Sequence, residues 1–281
     1  AYVSAVIFFQ LNTLWGWPTL WSFLFAVPIG APLLGVALER LVFRHLRTKP
    51  PVAGLVVAIG LTVALPALID IVLDFQPKGG QTPQGILPRG NNVFYKAWSF
   101  YSFSRNELVA MVAVVITTLG LVALFHFTVA GLRMRAVVES PRMTELNGIA
   151  ANRVSASAWA LSSFFAGLAG VLIAPRFPSL AAGQFFNLVV IAIAAAAIGG
   201  LVSLPRTFAG GIGLGLVIAL FNTFIPKWSN SQTWLRPIQS NLTPAVPFIV
   251  LFAVVVFVPS IRRSQRSSDP LGGVDPPPTS H

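Results

Sequence analysis

The chain has 281 residues, 55% of them apolar and only 10% charged, with a mean hydropathy of +0.76. A soluble domain carries about 25% charged residues, so this composition excludes a water-soluble globule, and it excludes a disordered chain more firmly. Lys and Arg outnumber Asp and Glu by 19 to 8, a net charge of +11; the basic residues sit between apolar runs, so membrane topology rather than nucleic acid accounts for them.

The chain opens inside an apolar stretch, Ala1 to Phe9, with no initiator Met and no basic leader, so a further N-terminal segment is expected before it. Apolar runs then follow at 1–17, 19–38, 52–73, 107–127, 154–174, 185–203, 208–225 and 244–259. A spanning helix needs about 20 such residues. The pattern predicts an all-α integral membrane protein, a polytopic bundle of about eight segments, with residues 1–260 as one transmembrane domain. Barrel strands would alternate apolar and polar residues, and Leu108–Leu124 does not. Pro28, Pro32 and Pro66 lie inside runs and predict kinks or breaks.

Alternating the segments tests their orientation. Arg40, Arg44, Arg47, Lys49, Arg133, Arg135, Arg142, Arg153, Arg206, Arg262, Arg263 and Arg266 fall on one side. Lys78, Arg89, Lys96, Arg105, Arg176, Lys227 and Arg236 fall on the other, in longer loops. The positive-inside rule makes the first side cytoplasmic and puts the C-terminus there. Residues 261–281 hold four prolines and several serines without periodicity, which predicts a disordered cytoplasmic tail.

Ionisable groups within the runs are few. Asp70 and Asp74 are four apart near the end of the third run. They are either a site for an amine or cation, or two carboxylates reaching the interface from a helix end. His126 reads as an interfacial residue at a helix C-terminus. The three His and eight acids are scattered, so no metal site is expected, and with no Cys there is no thiolate ligand, nucleophile or disulfide. No HExxH or GxSxG pattern supports a membrane-bound enzyme. The chain has no Gly-Lys pair and hence no phosphate loop, so any ATP must be hydrolysed by another polypeptide. Gly167, Gly170, Gly199, Gly200, Gly211 and Gly215 mark expected close helix packing.

Residues 131–155 differ from every other connection. They hold Arg133, Arg135, Arg142 and Arg153 with Glu139 and Glu145. Two short helical pieces, 136–140 and 142–146, are predicted on either side of Pro141. Met143, Leu146 and Ile149 recur at spacing three, and Asn147-Gly148 supplies the stop. This reads as an amphipathic element that docks a partner or rests on lipid.

Arg135-Ala136, the acidic stretch Glu139 to Glu145, Leu146-Asn147-Gly148-Ile149, Arg153-Val154 and Phe165 to Gly170 together resemble the signature of the branched-chain amino acid permeases of ABC importers. Glu39 to Arg44 with Leu46-Arg47, then Ala58-Ile59-Gly60-Leu61, resemble that family's basic loop and following span. Gly199-Gly200 and Gly210-Gly211 match its late glycines. The resemblance covers residues 1–260. The family has a further span before the position of Ala1, and it commonly has Ala where this chain has Thr144.

The resemblance implies an inner-membrane permease subunit with no cofactor of its own. Its partners would be cytoplasmic ATPase subunits, a second related permease, an extracytoplasmic solute-binding protein and the bilayer, with no nucleic acid. Arg133, Arg135, Glu139, Arg142, Glu145, Asn147, Gly148 and Arg153 would form the coupling element that fits the ATPase. The expected solute is a branched-chain amino acid or a related amino acid, short amide or urea. The alternative is a self-contained secondary carrier, for which Asp70 and Asp74 are the only candidate coupling-ion ligands.

Overall fold

In a computed structural model, residues 1–46, 49–75, 85–86, 93–97, 101–200, 203–231, 245, 248, 249 and 252 are described. The eighth predicted run, the tail and Arg47 fall outside these residues, apart from the four isolated positions after 231. The chain divides into two compact units, Ala1–Phe185 and Phe186–His281.

The first unit begins with α1 (Tyr2–Phe9), which runs on through a wider π turn, Gln10–Leu14. A continuous helix Thr19–Leu46 follows, made of α2 (Thr19–Leu24), α3 (Ala31–Leu38) and α4 (Arg44–Leu46) joined by π turns at Phe25–Gly30 and Glu39–Phe43. Next come α5 (Pro51–Val72), a hairpin of β1 (Val93–Ala97) and β2 (Tyr101–Ser104), and α6 (Arg105–Phe127). Then come α7 (Val129–Glu139), α8 (Pro141–Leu146), α9 (Ala151–Ile173) and the first residues of α10 (Ala182–Ile198). The second unit holds the rest of α10 and α11 (Leu204–Ser231).

Among the described residues five helices are long and apolar enough to cross a bilayer: Thr19–Leu46, Val52–Val72, Arg105–Phe127, Ala151–Arg176 and Leu204–Phe221. Tyr2–Leu14 and Ala182–Ile198 are shorter apolar helices. The all-α bundle therefore stands, and seven of the eight predicted runs coincide with apolar helices. The one departure is the antiparallel hairpin, which pairs Val93 with Ser104 and Ala97 with Tyr101 and lies outside the spans.

The three prolines fall in different settings. Pro28 sits inside the π turn Phe25–Gly30, whose wider ring absorbs the missing donor, and Pro32 opens α3. Pro66 lies within α5, which continues unbroken.

The core is small. Phe8, Ala26, Val27 and Val171 are buried together, backed by Ile7, Phe23, Phe164 and Leu168. A Cβ on Gly35 of α3 would lie 2.6 Å from the Trp159 carbonyl oxygen of α9, so only glycine permits this crossing. Phe43 stacks on Trp159 at 4.4 Å. Large apolar residues on α5 and α6 remain exposed, among them Val63, Ile71, Ile116 and Leu119. In a bilayer these faces meet hydrocarbon, so their exposure is no penalty.

Candidate functional site

Two places in the first unit concentrate polar side chains. They are the connection between α6 and α9, and the end of α5.

The connection is built from local hydrogen bonds. Ser104 and Glu107 form a capping box at the start of α6, and 23 residues later that helix ends at Phe127. Thr128 turns the chain: its hydroxyl donates to the Leu124 carbonyl at 2.6 Å and accepts from the Gly131 N–H at 3.2 Å. One side chain thus closes α6 and caps α7. A Cβ on Gly131 would lie 2.6 Å from the Phe125 Cα, so glycine is required where α7 folds against the end of α6. The Arg135 guanidinium donates to the Phe125 carbonyl, satisfying a C-terminal carbonyl of α6.

Pro141 opens α8, and Ser140 caps it by accepting from the Met143 N–H. Thr144 is buried, and its hydroxyl reaches the carbonyls of Ala136 at 3.0 Å and Ser140 at 2.8 Å. It therefore ties α8 to α7. Asn147 donates to the Met143 carbonyl at 2.9 Å. The Gly148 N–H bonds the Glu145 carbonyl at 2.9 Å, and the Ile149 N–H bonds the Thr144 carbonyl at 3.2 Å. With φ +79 at Gly148 this is a Schellman stop, reached without a Cβ penalty.

The predicted residues 131–155 thus form two helices and a capped turn rather than a loose loop. The predicted piece 136–140 is the end of a longer helix that starts at Val129. Arg133, Arg135, Glu145, Asn147, Gly148 and Arg153 are all exposed. Glu139 ends α7 and Arg142 lies in α8, while their side chains lie outside the described residues. Met143 and Leu146 are 63% and 77% exposed, so the apolar stripe faces away from this chain, and Ile149 is half-buried. Sequence reasoning missed the role of Thr144; the signal was a hydroxyl four residues after a helix cap and eight after Ala136.

At the far end of α6, Arg176 forms a 2.7 Å ion pair with Glu107. The start of α6 and the end of α9 therefore share one level, opposite the connection. His126 bonds the Val122 carbonyl at 3.1 Å near the end of α6 and is exposed, as an interfacial residue would be.

The glycines divide. A Cβ on Gly167 would lie 2.7 Å from the Ala31 Cβ, and one on Gly170 would meet the Ala1 backbone. In the second unit, a Cβ on Gly199 would lie 2.7 Å from the Thr207 nitrogen, and Gly200 takes φ +71 at the end of α10. Gly211 has only an ordinary contact with Ala195, and Gly215 has nothing within 4 Å.

At the end of α5, the Tyr2 hydroxyl donates to Asp70 Oδ1 at 2.7 Å, and Gln10 Nε2 donates to the Leu73 carbonyl at 3.1 Å. Phe9 meets Phe75 edge-on at 5.9 Å. Asp74 does not share a helix face with Asp70. It lies beyond α5 at φ +47, exposed, in a second Schellman stop with Asp74 N–H to Ile71 at 3.3 Å and Phe75 N–H to Asp70 at 2.8 Å. The two carboxylates therefore make no joint cation site, which removes the pairing a carrier would need. Among the described residues no cluster of three His, Cys, Asp or Glu could hold a metal.

Comparison with known proteins gives the family. The family described as "Branched-chain amino acid transport system / permease component" matches residues 1–258. The permease protein BraD of the high-affinity branched-chain amino acid transport system of Pseudomonas aeruginosa is 28% identical over 186 residues, which cover 66% of this chain and 59% of BraD. The corresponding LivH of Salmonella typhimurium is 28% identical over 277 residues, covering 92% of this chain and 80% of LivH. A probable LivH of Methanocaldococcus jannaschii is 26% identical over 128 residues, covering 46% of this chain and 40% of that protein. No solved structure matches. With a polytopic helical fold and a family match across nearly its whole length, the chain belongs to the permease components of branched-chain amino acid transport systems, and it is a multi-pass membrane transport subunit rather than an enzyme.

Proposed function

We propose that this chain forms the pathway of an inner-membrane ABC importer for branched-chain amino acids, powered by separate ATPase subunits and fed by an extracytoplasmic solute-binding protein. A second, related permease completes the pathway. The observation that carries this reading is the Thr128–Ala150 connection. A mobile loop would not need five side-chain-to-backbone locks, a proline start and a glycine stop, all holding two short helices in one shape. Its exposed surface combines Met143 and Leu146 with Arg133, Arg135, Glu145 and Arg153. That is the surface of a short helix pair that seats in a groove of a partner and pairs with its charges. ATP-driven closure of two ATPases needs such a stiff element to reach the spans, because a flexible one would absorb the displacement.

Orientation follows from the charge asymmetry: the connection lies on the basic side and is cytoplasmic. The test is co-purification in detergent with the candidate ATPase subunits. The native chain should retain them, and a variant with residues 133–153 replaced by a Gly/Ser linker should lose them. Equal retention by both would remove the connection from the interface, and no retention by the native chain would remove the ABC reading.

A further inference from the structure

We propose that the groove between α11 and the end of α10, headed by Arg206, holds one acyl chain of an anionic phospholipid, whose phosphate pairs with the Arg206 guanidinium. The site is a place for a lipid from the leaflet on the basic side of the membrane, and it does not depend on which solute the chain passes.

The groove lies wholly within the second unit and has a volume of about 450 Å³. Ile198 closes one end, and Arg206, Ala209, Gly210, Gly213 and Val217 line it along α11. Spacings of three and four put these residues on one face of the helix. That face is concave because Ala209, Gly210 and Gly213 stand where larger side chains would fill it. A Cβ on Gly210 would lie 2.9 Å from the Ile198 Cβ, so the two helices touch there, whereas a Cβ on Gly213 would meet nothing within 4 Å. From Arg206 to Val217 the face runs about 16 Å, at about 1.5 Å per residue. Half of a bilayer's hydrocarbon is about 15 Å thick. The groove is therefore about one leaflet deep, and its one charged lining residue stands at the end that the positive-inside rule sets at the membrane surface.

Arg206 is exposed, and among the described residues its guanidinium makes no hydrogen bond or ion pair. The sequence has no Asp or Glu from Leu146 to Ser268, so neither helix of the groove, nor the apolar run that follows, brings an acid to it. Arg262, Arg263 and Arg266 fall on the same side by the alternation of the runs and add to the excess of positive charge. What this end lacks is an anion from outside the chain. A guanidinium takes a phosphate through paired N–H donors. A free phosphate would leave the apolar length of the groove unfilled, and so would an acidic side chain of a protein partner. A phospholipid supplies both parts at the right separation, a phosphate at the surface and a chain running into the hydrocarbon. A zwitterionic head brings its own cation, so an anionic head is the better complement to an unpaired arginine.

The test is native mass spectrometry of the chain in its assembly, stripped of lipid in detergent and titrated with phosphatidylglycerol or with phosphatidylcholine of the same acyl chains. The affinity of the first lipid bound is the readout. Phosphatidylglycerol should bind about fivefold more tightly, the worth of one basic residue beside an anionic headgroup. Arg206→Gln should bring it down to the phosphatidylcholine level, and Arg206→Lys should keep the preference. Equal affinities in the native chain, or a preference that survives Arg206→Gln, overturns the proposal. Gly213→Leu fills the groove at a position where a side chain has room, and should weaken both lipids; native affinities in that variant also overturn it. Excess inorganic phosphate should leave the lipid bound, and its displacement would make Arg206 a site for the free ion and overturn the proposal. Co-purification of the second permease should be native in every variant. Its loss from Gly213→Leu would give the groove to that subunit and overturn the lipid assignment.

Discussion

The α6–α9 connection and the end of α5 close with the same pair of backbone hydrogen bonds and are held in place by different means. At Gly148 the left-handed residue has φ +79 and no Cβ; at Asp74 it has φ +47 and an exposed carboxylate. Around the connection, the side-chain bonds of Thr128, Arg135, Ser140, Thr144 and Asn147 span 3 to 10 residues, from Thr128–Gly131 to Arg135–Phe125. Around the end of α5, Tyr2–Asp70 spans 68 residues and Gln10–Leu73 spans 63. The first region is held by local side-chain bonds and also packs against α6 and α9. The second takes its shape from α1, and its strained residue is tolerated because Asp can adopt this conformation at a cost of about 1 kcal/mol.

The sharpest way to break the comparison is Gly131→Val. The new side chain would overlap the Phe125 backbone and force α7 off α6, at about 3 kcal/mol. A lowered midpoint in thermal unfolding in detergent, with loss of the ATPase subunits, is the expected result. A native midpoint would mean that the connection is not locked at this corner. Next in size is Thr144→Val, which leaves the carbonyls of Ala136 and Ser140 without their hydroxyl donor. It should cost about 1–2 kcal/mol in the same measurement, with Thr144→Ser near native. An equal effect from the serine variant would show that the methyl group, not the hydroxyl, matters. The smallest effects should come as a pair of opposite sign. Gly148→Ala should destabilise by about 1 kcal/mol, and Asp74→Gly should stabilise by about 0.5–1 kcal/mol, because each changes the residue in a left-handed position. The same sign for both would refute the parallel between the two stops.

Much of this was legible in the residues. Uninterrupted apolar runs announce spans, since nothing else satisfies a backbone in hydrocarbon. Pro141 and Asn147-Gly148 announce a start and a stop, because their constraints act within one turn. The reading of Asp70 and Asp74 as partners on one face went wrong for an equally local reason: α5 ends between them, at Val72, and periodicity does not reveal the last turn of a helix. Pro66 was expected to kink or break its run, and α5 carries it without a break.

By itself, then, the sequence determined a polytopic helical membrane protein, its charge asymmetry and the capped two-helix connection, all of which follow from composition and from interactions between residues a few positions apart. Only the tertiary structure decided that Tyr2 meets Asp70 and that Gly35 rather than Gly215 carries a close helix crossing. Those pairings depend on how helices pack, and in an apolar chain many packings satisfy the same hydrophobic pattern, so burial alone does not select among them.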